Sequence, residues 1–237
     1  MMDSSLQVLF EDNHCLVVAK PAPLLTQGPP GVPNLEAMAK DYLRNKYGKK
    51  GNVYLGVPHR LDRPVSGVIA FARSTKAAQR LAEQFRERTI KKVYWGVVEG
   101  SLEPSEGLWE NWLRKQREQA RSEPAEPNAE GAKRAVLRYR VLQSCEGGSL
   151  MEFLPETGRM HQIRLQASLH GVPIRGDVIY GSNLPFGPAA EQPRDRVIAL
   201  HARSLTFLHP IRFEPIEIVA PLPEIWHSLG ISVDSPE

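Results

Sequence analysis

The chain has 237 residues, of which 41% are hydrophobic and 24% charged, and it carries a net charge of +3. This is the composition of an ordinary globular protein, long enough to bury a core as one large domain or two small ones. It excludes a helical membrane protein, because no apolar run approaches the ~20 residues of a span, and a disulfide framework, because Cys15 and Cys145 stand alone.

The N-terminal stretch MMDSSLQVLF has neither the basic nor the apolar region of a secretory signal, so a cytoplasmic protein is expected. Leu6–Phe10 alternates apolar and polar residues, Asp12-Asn13 breaks the pattern, and Cys15–Ala19 is a short apolar run. Together they predict a β-hairpin, ended by Pro21 and Pro23. Asn34 caps a predicted helix with an apolar face at Leu35, Met38, Ala39, Tyr42 and Leu43, closed by Gly48. Val68–Ala72 reads as a strand, and Ser74 caps a second helix built on Ala77, Ala78, Leu81, Ala82 and Phe85. Val93–Val98 is a further strand. From Arg114 to Arg134 the chain is polar and poor in large apolar residues, which predicts a long exposed insertion within a single domain spanning residues 1–237. Strands resume at Val136–Leu142 and Leu150–Leu154, followed by a helix near Gln162–His170 that stops at Gly171. Short strands fill 197–201, 205–208 and 213–219, and 224–229 makes a last short helix. Strands outnumber helices without alternating with them, so the expected class is α+β with a mixed, mainly antiparallel sheet and flanking helices.

Three segments concentrate polar chemistry. In His59-Arg60-Leu61-Asp62-Arg63 a lone carboxylate sits between two arginines, and the flanking cations favour its ionised form. On charge pattern alone a capped turn is the commoner explanation. Lys91-Lys92-Val93-Tyr94-Trp95 places aromatics beside cations, a pattern that stacks bases and holds phosphate. A core tyrosine with solvated lysines is again more common. In Thr157-Gly158-Arg159-Met160-His161-Gln162-Ile163-Arg164 basic side chains crowd a turn that leads into a helix, where free backbone N–H groups suit anions. The run Arg73–Lys92 holds seven basic residues against two acidic ones, Glu83 and Glu87. No phosphate loop, dinucleotide fingerprint, zinc-ligand spacing or serine-hydrolase frame is found, so no cofactor and no metal are expected.

Taken in order, VLFEDNHCLVVAKPAPLLT, HRLDRPVSGVIAFARS, KKVYWGVVEG, TGRMHQIRLQASLHGVPIRGDVIYG and LHARSLTFLHP resemble the blocks of the RluA-type pseudouridine synthases. The resemblance runs through nearly the whole chain, and the joint occurrence of HRLD, GRxHQIR and GDxxYG is highly specific. It implies a pseudouridine synthase fold with a central active-site cleft. It also implies roles: Asp62 as the catalytic aspartate, Arg60 as the arginine that enters the RNA stack, Tyr94 as the tyrosine against the target base, and Arg164 as the partner of Asp62. The basic neighbours His59, Arg63, Lys92, Arg159 and His161 are expected RNA contacts. Two departures stand out. Pro64-Val65 replaces the family's usual Asp-Thr. The first strand near Leu6 is expected to leave no room for the S4-type RNA-binding domain of many relatives, so that recognition falls to this domain, its insertion or its basic helix.

The implied reaction isomerises uridine to pseudouridine in structured RNA, rRNA or tRNA, by flipping the base out of the stack. A monomer with RNA as its partner and no membrane or metal is expected. The rival readings are a non-catalytic RNA-binding or RNA-folding protein on the same scaffold and a hydrolase that releases free uracil.

Overall fold

A computed structural model describes residues 6–116 and 118–231. By its internal contacts the chain divides into two compact units, Met1–Lys92 with Ala202–Leu222, and Val93–His201 with Pro223–Glu237.

In the first unit, strands β1 (Gln7–Glu11) and β2 (Cys15–Lys20) form the expected hairpin. Asp12 fixes its turn, with Oδ1 accepting from the backbone N–H groups of His14 and Cys15. β2 pairs antiparallel with β3 (Ser66–Ala72), whose seven residues are all buried. That burial explains the uninterrupted apolar run. β9 (Leu200–Leu208) lies next to β3 and also pairs with β10 (Pro215–Val219). The expected strands 197–201 and 205–208 are replaced by one strand that begins only at Leu200. Gly67 (φ +120°) is required where β3 meets β9, because a Cβ there would lie 2.3 Å from the Ala202 carbonyl oxygen. Helices α1 (Leu35–Lys46) and α2 (Thr75–Glu87) begin as predicted, with Asn34 and Ser74 accepting from the N–H groups of Ala37 and Ala77.

The second unit is built on an antiparallel sheet in the order β4 (Lys91–Glu99), β8 (Gly148–Pro155), β7 (Lys133–Cys145), β5 (Glu106–Lys115), β6 (Ser122–Pro124). Helix α3 (Gln162–Leu169) follows, and its residues 162–167 are buried. The segment 224–229 is a 3-10 helix that anchors Trp226 in the core.

The polar stretch 114–134 departs from a plain exposed insertion. Its first two residues end β5, Ser122–Pro124 form β6, and its last two residues begin β7. Long-range polar pairing replaces apolar burial here. Arg114 and Gln116 both bind Glu123, and Arg134 makes a two-pronged contact with Glu110. Ser122 is itself buried.

Glu11, at the end of β1, ties this hairpin to α1. Its carboxylate accepts from Tyr42 (2.7 Å), Lys46 (2.7 Å), Tyr47 (2.6 Å) and Arg73 (3.0 Å). Burial works against the charge, but the Lys46, Tyr47 and Tyr42 donors outweigh it, and the pKa falls from 4.5 to about 2. A folded pKa below the unfolded one gives stability that is complete above pH 4.5 and is lost as pH falls toward 2. Glu11→Gln is expected to cost about 1–3 kcal/mol at neutral pH and to flatten the acid limb of stability. Urea titrations from pH 2 to 7 measure both; parallel acid limbs in the two proteins would refute the assignment.

Candidate active site

Asp62 belongs to the first unit and is half-buried in a turn held from several directions. The Thr26 hydroxyl donates to the Leu61 carbonyl (2.9 Å) and accepts from the Leu61 N–H (3.1 Å). Val65 N–H donates to the Asp62 carbonyl (3.1 Å), closing a four-residue turn over Arg63 and Pro64. Leu24 N–H donates to the Arg63 carbonyl (3.1 Å).

A residue to which the sequence reading gave no role completes this frame. Lys20, at the end of β2, is 1% exposed, and its Nζ donates to the carbonyls of Leu24 (2.7 Å), Pro21 (3.1 Å) and Arg63 (3.3 Å). Burial is the main force on its titration and pulls the pKa from 10.5 to about 7; the Asp62 charge pushes it back up and Arg63 pushes it down. Lys20 thus faces the candidate nucleophile electrostatically while it fixes the main chain beside it. The available signal was its place at the end of an apolar run, CLVVAK, directly before prolines.

The other residues of this block divide by their surroundings. Arg60 is exposed. His59 accepts the Ala70 N–H on Nε2 (3.0 Å), and its ring stacks on Phe85 at 4.4 Å. Burial, assisted by the Lys92 charge, lowers its pKa to about 3, so at neutral pH this imidazole brings no positive charge to a phosphate. Lys92 is also shifted down, by burial and then by Arg88.

Tyr94, Arg159, His161 and Arg164 belong to the second unit. Tyr94 is half-buried in β4, opposite Phe153 of β8. Arg164 is 3% exposed, and its Nε and Nη2 donate to the two carboxylate oxygens of Asp177 at 2.5 and 2.8 Å. Asp177 is 1% exposed, so this is a buried two-pronged pair of the strong kind. Asp177 is the aspartate of GDVIYG, a block in which no residue carried an expected role. Arg159 donates from Nε to the Arg134 carbonyl (3.0 Å), and its N–H donates to Gln162 Oε1 (3.0 Å). His161 occupies the left-handed region (φ 52°) at the N-cap of α3, and its Nδ1 lies 2.9 Å from the Tyr180 hydroxyl.

The Lys20 environment fixes the direction of a pH effect. Between pH 7 and 10.5 the unfolded chain keeps a proton that the folded chain has shed, so stability rises with pH across that window. Lys20→Met is expected to remove this contribution to the slope and to lower stability, because the carbonyls that Nζ binds lose their donor. Urea midpoints of both proteins from pH 7 to 10 give the comparison, and identical slopes would exclude a depressed Lys20 pKa.

Comparison with known proteins places these residues in context. The sequence model of the RNA pseudouridylate synthase family matches residues 14–169. The dual-specificity RNA pseudouridine synthase RluA of Haemophilus influenzae is 35% identical over 222 residues, which are 90% of this chain and 91% of that protein. The ribosomal large subunit pseudouridine synthase D of Xylella fastidiosa is 34% identical over 229 residues, 94% of this chain and 67% of that protein. Among solved structures, human RNA pseudouridylate synthase domain containing 4 superposes with a TM-score of 0.77 at 25% identity, covering 97% of this chain and 95% of that one. A family match that runs from the turn of the first hairpin through α3 takes in Asp62, Tyr94 and Arg164 alike, and the chain belongs to the RNA pseudouridine synthases.

Proposed function

We propose that this enzyme converts uridine to pseudouridine at one or more positions of a structured RNA, rRNA or tRNA, with Asp62 as the catalytic carboxylate. The observation that carries the reading is the family match across residues 14–169, which spans the turn that holds Asp62 at Leu61, Asp62, Arg63 and Val65. Chemistry of this kind needs a carboxylate whose main chain does not drift.

The target uridine leaves the stack at a cost of a few kcal/mol. The exposed Arg60 fills the vacated space and offsets part of that cost. The N1–C1′ bond then breaks, uracil rotates, and C5 joins C1′. C5 gives up its proton and N1 gains one, so the overall change is an isomerisation with no external reagent. Asp62 serves either as nucleophile at C1′ or as base on the sugar, and both are carboxylate chemistry. Tyr94 holds the detached base against its ring, with its hydroxyl placed to assist the C5 proton. For Arg164 we propose the role of orienting the catalytic carboxylate. Arg63, Lys92, Arg159 and His161 are the proposed RNA contacts, whereas His59 serves as a neutral, stacked ring.

Asp62→Asn is expected to abolish tritium release from C5-tritiated transcripts of ribosomal RNA and tRNA while leaving the fold intact. Full activity in the purified variant would overturn the assignment. Tyr94→Phe keeps the stacking area, so RNA affinity is expected to stay within about twofold. The defect should fall after glycosidic cleavage, and single-turnover sampling of cleaved and rejoined product measures it. Wild-type rates would reduce Tyr94 to a stacking platform.

A further inference from the structure

Tyr180, in the GDVIYG block, is 7% exposed, and its two ends do different things. The ring packs with Leu113, Ala135 and Leu165, and the Arg164 guanidinium lies over it at 5.1 Å from the centroid. The hydroxyl meets Ser122 N (2.9 Å), Ser122 O (3.2 Å) and His161 Nδ1 (2.9 Å). Hydrogen counting gives one assignment that satisfies all three contacts. The Ser122 carbonyl can only accept, so it takes the phenolic hydrogen. The phenolic oxygen then accepts from Ser122 N–H and from a protonated Nδ1 of His161. Ser122 Oγ adds a further hook, donating to the Met160 carbonyl at 2.7 Å. The short strand β6, at the end of a polar hairpin, is thereby tied to the turn that starts α3. Arg164 lies on that helix one turn after His161.

Asp177 holds two donors of Arg164 and so fixes the plane of the guanidinium. The Arg164 guanidinium carbon lies over the Tyr180 ring, and a cation over an aromatic face is an attractive contact when desolvated. We propose that Tyr180 is a positioning residue for the known reaction: it sets the Arg164 guanidinium and couples that setting to the β5–β6 hairpin through Ser122 and His161. The proposal rests on the reading in which Arg164 orients Asp62. It assigns no chemical step to Tyr180, and it makes the polar hairpin a structural support of the catalytic arginine.

The test uses the full chain and a tritiated transcript that the wild-type enzyme modifies, with Asp62→Asn run alongside. Tyr180→Phe keeps the ring under Arg164 and removes the three hydroxyl contacts. Its single-turnover rate is expected to fall about tenfold, since small misplacements of a catalytic group are costly, while RNA affinity stays within twofold. The acid limb of its pH–rate profile is expected to move upward in the same variant. A merely structural role would lower the thermal midpoint without moving that limb. Ser122→Ala removes only the hook on Met160 and is expected to give a smaller loss in the same direction; it carries the test by itself if Tyr180→Phe does not fold. The proposal fails if folded variants show the wild-type rate and pH limb, or if they lose rate only in proportion to RNA affinity. Full activity in Asp62→Asn would instead overturn the underlying reading of the active site.

Discussion

Burying an ammonium ion in protein costs several kcal/mol unless its protons are satisfied, and Lys20 is buried to within 1% of its surface. What it receives in return is three carbonyl oxygens from two separate stretches, Pro21 and Leu24 on one side and Arg63 on the other. No apolar residue could hold these oxygens together, because each would be left desolvated and unpaired. The end of β2, the proline-bounded segment after it and the turn bearing Asp62 are therefore one assembly. Pro64 is compatible with the same bonds. The turn is held through Leu61, the Asp62 and Arg63 carbonyls and the Val65 N–H, and none of these contacts uses an N–H at position 64. Proline removes a donor there without breaking a bond that the frame depends on.

The second unit solves a related problem with a different pair. Arg164 and Asp177 are both almost fully buried, a condition under which breaking the pair is strongly destabilising. A guanidinium presents a planar fork, and two of its donors occupied by Asp177 leave the group little rotational freedom. Lysine at this position would retain the charge and lose the orientation.

Much of this was legible in the sequence, and the unread parts share a cause. The first hairpin, both capped helices and α3 announce themselves through local signals: alternation, Asn34, Ser74 and the glycine after the last helical turn. The candidate nucleophile was legible because HRLD is a local word. The tail of β5 and all of β6 were not, because their stabilising contacts are cross-strand pairs such as Arg114 with Glu123 and Arg134 with Glu110. A polar strand paired to a polar strand has no apolar signature. Asp177 follows Arg164 by 13 residues, a separation that carries no periodic signal. Lys20 looks like an ordinary charged strand end until its burial is seen.

The motif histidines show why a residue's type in a motif does not determine its physical work. His59 heads HRLD among basic neighbours, which invites the reading of a phosphate contact. Its Nε2 accepts from the Ala70 N–H, its ring lies on Phe85, and burial keeps it neutral through the physiological range. Its contribution is to fix the stretch that leads to Asp62. The cations of this block are then its arginines. These do not titrate near neutrality, and Arg60 is the exposed one. Attraction built on arginine is steady with pH and weakens with salt as counterions are released. Lys20, whose burial lowers its pKa to about 7, is a buried group beside the candidate nucleophile that titrates near neutrality.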